Sequence, residues 1–193
     1  MGLLRTIDAT TEPVTTAEAK AQCRVTIATD DTLIDAYIKA ARQSAENRLG
    51  RSLITQTWEL TLDSFPAAIE LLYPPIIGVT TLKYLEPVAG VSTTLSSVSY
   101  TVDKKNEPGW IIPAFGYDWP TIRDDINAVT VTYTAGYATA ADVPQAIKTW
   151  ILLQVGHWYE NREASVILPT GSVAVLPFVD TLLNIYRVVR MGP

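Results

Sequence analysis

The chain is 193 residues long, 48% hydrophobic and 18% charged, with a formal net charge of −5. That balance belongs to a folded chain with much apolar surface to hide and excludes a disordered one. The negative charge excludes a protein that wraps nucleic acid through many Lys/Arg–phosphate contacts.

The opening "MGLLRT" has no long apolar core and does not read as a signal peptide. Gly2 and Thr6 formally fit a myristoylation pattern, a short match with no other membrane signal beside it. No stretch reaches the ~18 apolar residues that span a bilayer. In "TTAE", Thr15 and Glu18 form a capping box that predicts a helix over about 15–24. Cys23 lies in it, and a lone cysteine excludes an internal disulfide framework or a Cys-based zinc cluster.

Asp30 is placed to cap a second helix, about 30–49. Its residues Leu33, Ile34, Tyr37, Ile38, Ala41, Ala45 and Leu49 make one apolar stripe, and Gly50 stands at the C-terminal cap. Lys39, Arg42, Glu46 and Arg48 are assigned to the other faces. From Ile54 the period becomes two: Ile54, Trp58, Leu60 and Leu62 alternate with Thr55, Thr57, Glu59 and Thr61. Strand signals continue to about Tyr137, so the β region spans about 54–137 as a small antiparallel sheet with long hairpins. Helix returns at about 142–163, with Asp142 as cap, Pro144 in the first turn and Gln145 closing a capping box. An irregular stretch follows, then a last helix from about Leu176. The order predicts a single α+β domain over 1–175, a helical bundle carrying an antiparallel β excursion. A C-terminal helix or tail, 176–193, is a possible docking extension.

Chemistry is sparse. The only histidine, His157, sits in "HWYENRE" beside Trp158, Tyr159 and Glu160. It lacks a G-x-S-x-G elbow or another credible nucleophile, and a packed, hydrogen-bonded role is the expectation. A hydrolase built on His157 remains one alternative, and a ligand-binding β module a second. The acidic pairs Asp30–Asp31 and Asp124–Asp125 are adjacent, which does not set the facing geometry of paired catalytic carboxylates. Neither pair has calcium-loop spacing. No catalytic, cofactor or metal residue is assigned, and no cofactor is expected. "PGWIIPAFGYDWP", from Pro108 to Pro120, loads Trp110, Phe115, Tyr117 and Trp119 into a loop, as a folded mini-core or as a docking surface. Tyr159, Arg162 and Glu163 end the third long helix either as a solvated terminus or as a patch for a neighbouring subunit.

Four stretches together form a pattern: "EPVTTAEAKAQCRV", "DDTLIDAYIKAARQSAENRLGRSLITQTWEL", "IIPAFGYDWPTIRDDINAVTVTYTAGY" and "VPQAIKTWILLQVGHWYENRE". In this order and spacing, from about Glu12 to Glu163, the chain resembles the head–tail connector (adaptor) proteins of tailed bacteriophages and prophages. The resemblance implies a structural virion protein, not an enzyme, made in the host cytoplasm and located in the neck. It implies a ring, usually of twelve subunits, under the portal protein, extending the DNA channel and docking a downstream neck or tail-completion protein. DNA would pass without specific binding, and no membrane is involved. A head-to-tail ring needs two different complementary patches per subunit. Trp119, Arg123, Tyr159, Arg162, Glu163, Phe178 and Tyr186 are the candidate interface residues. Asp118, Asp124 and Asp125 are the candidate acidic residues facing the channel. The stripe and basic residues of 176–193 would either fold back or reach the portal or a neighbour.

Overall fold

The computed structural model describes residues 1–161 and 180–189. It contains β1 (Gly2–Ile7), α1 (Thr16–Cys23), α2 (Asp31–Leu49), β2 (Gln56–Leu62), β3 (Ile69–Leu71), β4 (Ile76–Leu85) and β5 (Ser92–Thr94). These are followed by β6 (Tyr100–Asp103), β7 (Gly109–Pro113), β8 (Val129–Ala135), α3 (Gln145–Glu160) and α4 (Thr181–Asn184). The helical expectations hold for the first two helices. Thr15 accepts from Glu18 N while Glu18 reaches back to the Thr15 N–H, and Gly50 closes α2 in the left-handed region at φ 66°.

Two cores form. In the first, Ile34, Ile38, Ala41, Ala45 and Leu49 of α2 meet Ile147, Trp150, Ile151 and Val155 of α3, with Ala19 of α1 and Leu183 of α4. The predicted stripe of α2 is that buried face, since only one side of a helix can reach the bundle. The second core lies between sheets. Trp58, Leu60, Leu82, Val131 and Tyr133 come from a five-stranded antiparallel sheet of order β1-β2-β8-β4-β5. Ile69, Leu71 and Ile111 come from a three-stranded sheet, β3-β7-β6. Strict alternation in β8, where Val129, Val131, Tyr133 and Ala135 are buried between half-exposed threonines, orients it toward this core.

Four sequence expectations need correction. The β region is two sheets, and it recruits a strand from outside 54–137: residues 2–7 pair antiparallel with β2, placing Leu3 opposite Leu60 and Arg5 opposite Trp58. A single inward apolar side chain followed by an inward arginine hides the period-two signal. Asp30 precedes α2 but makes no side-chain cap; its carboxylate instead accepts from the Tyr159 hydroxyl at 2.6 Å. Asp142 caps a short 3-10 turn with Thr139, and α3 starts only at Gln145 after Pro144. α3 ends at Glu160, with Asn161 as its C-cap, rather than at 163. The helix predicted from Leu176 is described only over Thr181–Asn184, because residues 162–179 and 190–193 lie outside the described residues.

Candidate assembly surfaces

Arg42 and Glu46, assigned by sequence to the polar faces of α2, are buried: Arg42 is 0% exposed and Glu46 4%. The N-terminal strand and the residues after it lie over that face of the helix. Arg42 donates from Nε to Glu12 at 2.7 Å, from Nη1 to Glu46 at 2.9 Å and from Nη2 to Asp8 at 3.2 Å. The other Glu46 oxygen accepts from Leu53 N at 3.0 Å and from the Gln56 amide. Arg5 adds contacts to Asp8 and Glu46 at 3.3 and 3.5 Å and rests 5.9 Å from the Trp58 ring centre. Burial opposes the charge on Arg42. The Glu12 hydrogen bond and the Glu46, Glu12 and Asp8 charges outweigh it and push the guanidinium above its ordinary pKa. Partial burial likewise works against Asp8, but the Ala9 N–H, Arg42, Arg5 and Lys39 hold its carboxyl below the usual range. A guanidinium with its donors shared among three carboxylates is satisfied, which is the condition for burying charge at all. This cluster fixes β1 to the bundle and thereby places the free edge of the larger sheet.

Just beyond the C-terminus of α2, Arg51 gathers three distant segments. It pairs with Glu107 through both Nη atoms, donates from Nε to the Tyr186 carbonyl at 2.9 Å, and reaches the Tyr137 hydroxyl at 3.3 Å. Val188 N donates to the Leu49 carbonyl at 2.8 Å. Asp180 accepts from Trp150 Nε1 at 3.1 Å and pairs with Arg48 at 2.7 Å. The Trp150 hydrogen bond, then Arg48, keeps the Asp180 carboxyl below its ordinary value. So residues 180–189 fold back on their own subunit, with Leu183 buried and Ile185 80% exposed. Shallow clefts of about 180 and 320 Å³ border this segment, lined by Gly50, Tyr73, Pro108 and Val188 in one and by Asn47, Asp180 and Arg187 in the other.

The aromatic loop divides. Trp119 is half-buried and stacks on Phe65 at 4.6 Å and 7°, with its Nε1 unpaired among the described residues. Phe115 and Tyr117 stand out in solvent. Of the remaining candidate interface residues, Arg123 is exposed, pairs with Asp125 at 3.5 Å and crosses the hairpin at Gly90. Tyr186 is half-buried against the helical core. Tyr159 commits its hydroxyl to Asp30 inside the subunit, so that group is not available to a neighbour. Asp118, Asp124 and Asp125 are all exposed. Arg162, Glu163 and Phe178 lie outside the described residues. The sequence missed Arg5, Glu12, Arg51 and Glu107, whose partners Glu46, Arg42, Glu107 and Arg51 stand 30 or more positions away; no local spacing announces such pairs.

His157 is exposed rather than packed, with Asn161 Nδ2 at 3.4 Å from Nδ1 as its ring contact. The Cys23 thiol is pushed up by burial and by the Glu160 charge, the reverse of an activated nucleophile. Among the described residues no group of His, Cys, Asp and Glu could hold a metal ion, and no helix is long and apolar enough to cross a membrane.

A three-helix core joined to a two-sheet core, with no assembled reactive constellation among the described residues, is the architecture of this chain. The same fold occurs in a chain of the neck of an empty gene transfer agent (GTA) particle computed with C6 symmetry: TM-score 0.81, 23% identity, covering 100% of this chain and 98% of that one. A chain from the virion of the native particle gives 0.80 at 24% identity, and one from the native neck computed with C12 symmetry gives 0.73 at 24%, each with the same coverage. No curated protein sequence matches. Residues 14–74 match the family described as phage gp6-like head-tail connector proteins. The chain thus shares its fold with these neck chains and, over residues 14–74, resembles the connector family.

Proposed function

We propose that the chain is a structural subunit of the neck of a tailed particle. It forms a ring beneath the portal, extends the DNA channel and presents a docking surface to the next neck or tail protein. The observation that carries this reading is the end-to-end agreement of fold with a neck chain, together with the family match over α1, α2 and the start of the sheet region. The chain contributes shape and contact surface rather than bond chemistry.

Exposed Asp118, Asp124 and Asp125 suit a wall that DNA must pass, because carboxylates repel phosphate where Lys and Arg would retain it. Arg123, Trp119, Tyr159 and Tyr186, with Arg162, Glu163 and Phe178, are the proposed contact residues between subunits or with partners. The C-terminal segment 176–193 is proposed to meet the portal; its solvent-facing Ile185, Arg187 and Val189 support that assignment. Removing the gene from a producing strain is the test. Filled heads accumulating apart from finished tails is the expected result. Complete tailed particles in normal yield would overturn the reading.

A further inference from the structure

The five-stranded sheet has two outermost strands, β1 and β5, and they belong to opposite ends of the strand order. An outer strand offers a row of backbone N–H and C=O groups to any second strand, and monomeric proteins blunt it with Lys, Pro or an outward charge. β5 is only three residues long and the β1 register shifts between Arg5 and Ile7, but among the described residues neither edge carries a Lys, a Pro or an outward charge. β1 reads GLLRTI, and its one charged residue, Arg5, turns inward to Glu46 and Trp58. Leu4 is 62% exposed and Ile7 57%. β5 reads STT, without charge, and Val91, immediately before it, is 55% exposed. Among the described residues, both edges therefore combine an outermost backbone with an exposed aliphatic side chain at or beside the strand.

We propose that β1 of one subunit pairs with β5 of the next, so that adjacent five-stranded sheets run into one another around the assembly. The occupant of each edge is a second copy of this chain, an assignment that rests on the ring reading above. A closed head-to-tail ring needs two different surfaces that fit each other, and the two ends of one sheet meet that requirement without a further binding site. Pairing β1 with another β1 would instead close a two-fold dimer and leave β5 open. The Arg42 cluster gives β1 the rigidity to act as a template, since it anchors residues 5–12 to α2.

Cross-linking in assembled particles tests this. In a Cys23→Ser background, Leu4→Cys is combined with Thr93→Cys in one variant and with Thr94→Cys in another. Successive side chains on a strand alternate faces, so one of the two shares the face of Leu4. Particles built from each variant as the sole copy are oxidised and run on a non-reducing gel. The expected result is a ladder of covalent multimers from one variant, and none from Leu4→Cys alone. Dimers from Leu4→Cys alone, or no multimers from either variant in particles whose necks show the ring, would overturn the edge pairing. Necks without any ring would overturn the ring reading itself. If cysteines reduce particle yield, charge exchange serves: Leu4→Lys or Thr93→Glu alone should lower yield about tenfold, and the pair together should restore it. Unchanged yield in the single variants would overturn the pairing.

Discussion

Arg42 sits among three carboxylates, Asp8, Glu12 and Glu46, which Arg5 and Lys39 help to balance. Removing one partner of a buried pair strands the others, and the usual cost is ~3–5 kcal/mol. Arg42→Met should therefore lower unfolding free energy by about that amount, measured by urea denaturation. Arg42→Met with Glu46→Leu should recover part of the loss, because the buried carboxylate is removed as well. Asp8 adds a pH term. Its folded pKa lies below the ordinary 3.8, so it stabilises the fold above that value and its contribution disappears as the pH falls further. Asp8→Asn should flatten the acid limb of the stability curve below about pH 4 and leave the alkaline limb unchanged. Gly136 is a different kind of constraint. At φ 116°, an added Cβ would stand 2.2 Å from the Ile54 carbonyl oxygen. Gly136→Ala should cost about 3 kcal/mol or more by thermal or urea unfolding, since both the dihedral and the contact forbid it; a near-neutral result would mean that the turn relaxes.

At the level of elements, the legible parts are those whose signal is local. The α2 stripe, the Thr15–Glu18 box, the Gly50 cap and the alternation through 54–62 all depend on residues within a few positions of one another. What was illegible depends on distant chain. Arg42 and Glu46 are four apart and look like a surface pair, but β1 arrives over them from residues 2–7 and turns them inward. Asp142 stands where a helix cap belongs, yet Thr139 captures it first, and Pro144 then delays the helix by three residues. The acidic cap at Asp30 is lost to Tyr159, 129 positions away. The candidate interface was legible only as exposed aromatic and charged residues; which of them are used internally required the fold. The docked C-terminal segment provides a further prediction. Its Asp180 is held below the ordinary 3.8 by Trp150 and Arg48, so its contacts are intact above that value and weaken as the pH drops through the lowered one. Trp150 fluorescence should report release of residues 180–189 below about pH 4, and Asp180→Ala should produce the released signal already at neutral pH. A spectrum that is insensitive to both changes would refute this tether.

Across the whole molecule, a helical core and a sheet core meet near the C-terminal end of α2, where the Arg42 cluster lies in the helix's second half and the Arg51 clamp just beyond it. That division suits a subunit whose sheet edges contact neighbours while its helices and terminal segment remain available to other components of a neck. The resemblance read from four stretches of sequence points the same way as the family match over 14–74, and the full-length fold recurs in a neck chain. The most direct measurement of the central claim is a reconstruction of the neck of intact particles in which this chain carries a small fused tag. The account predicts a closed ring of tag density between head and tail, surrounding the DNA channel. Particles that assemble completely without the tagged chain, or tag density confined to the capsid shell or the tail tip, would contradict it.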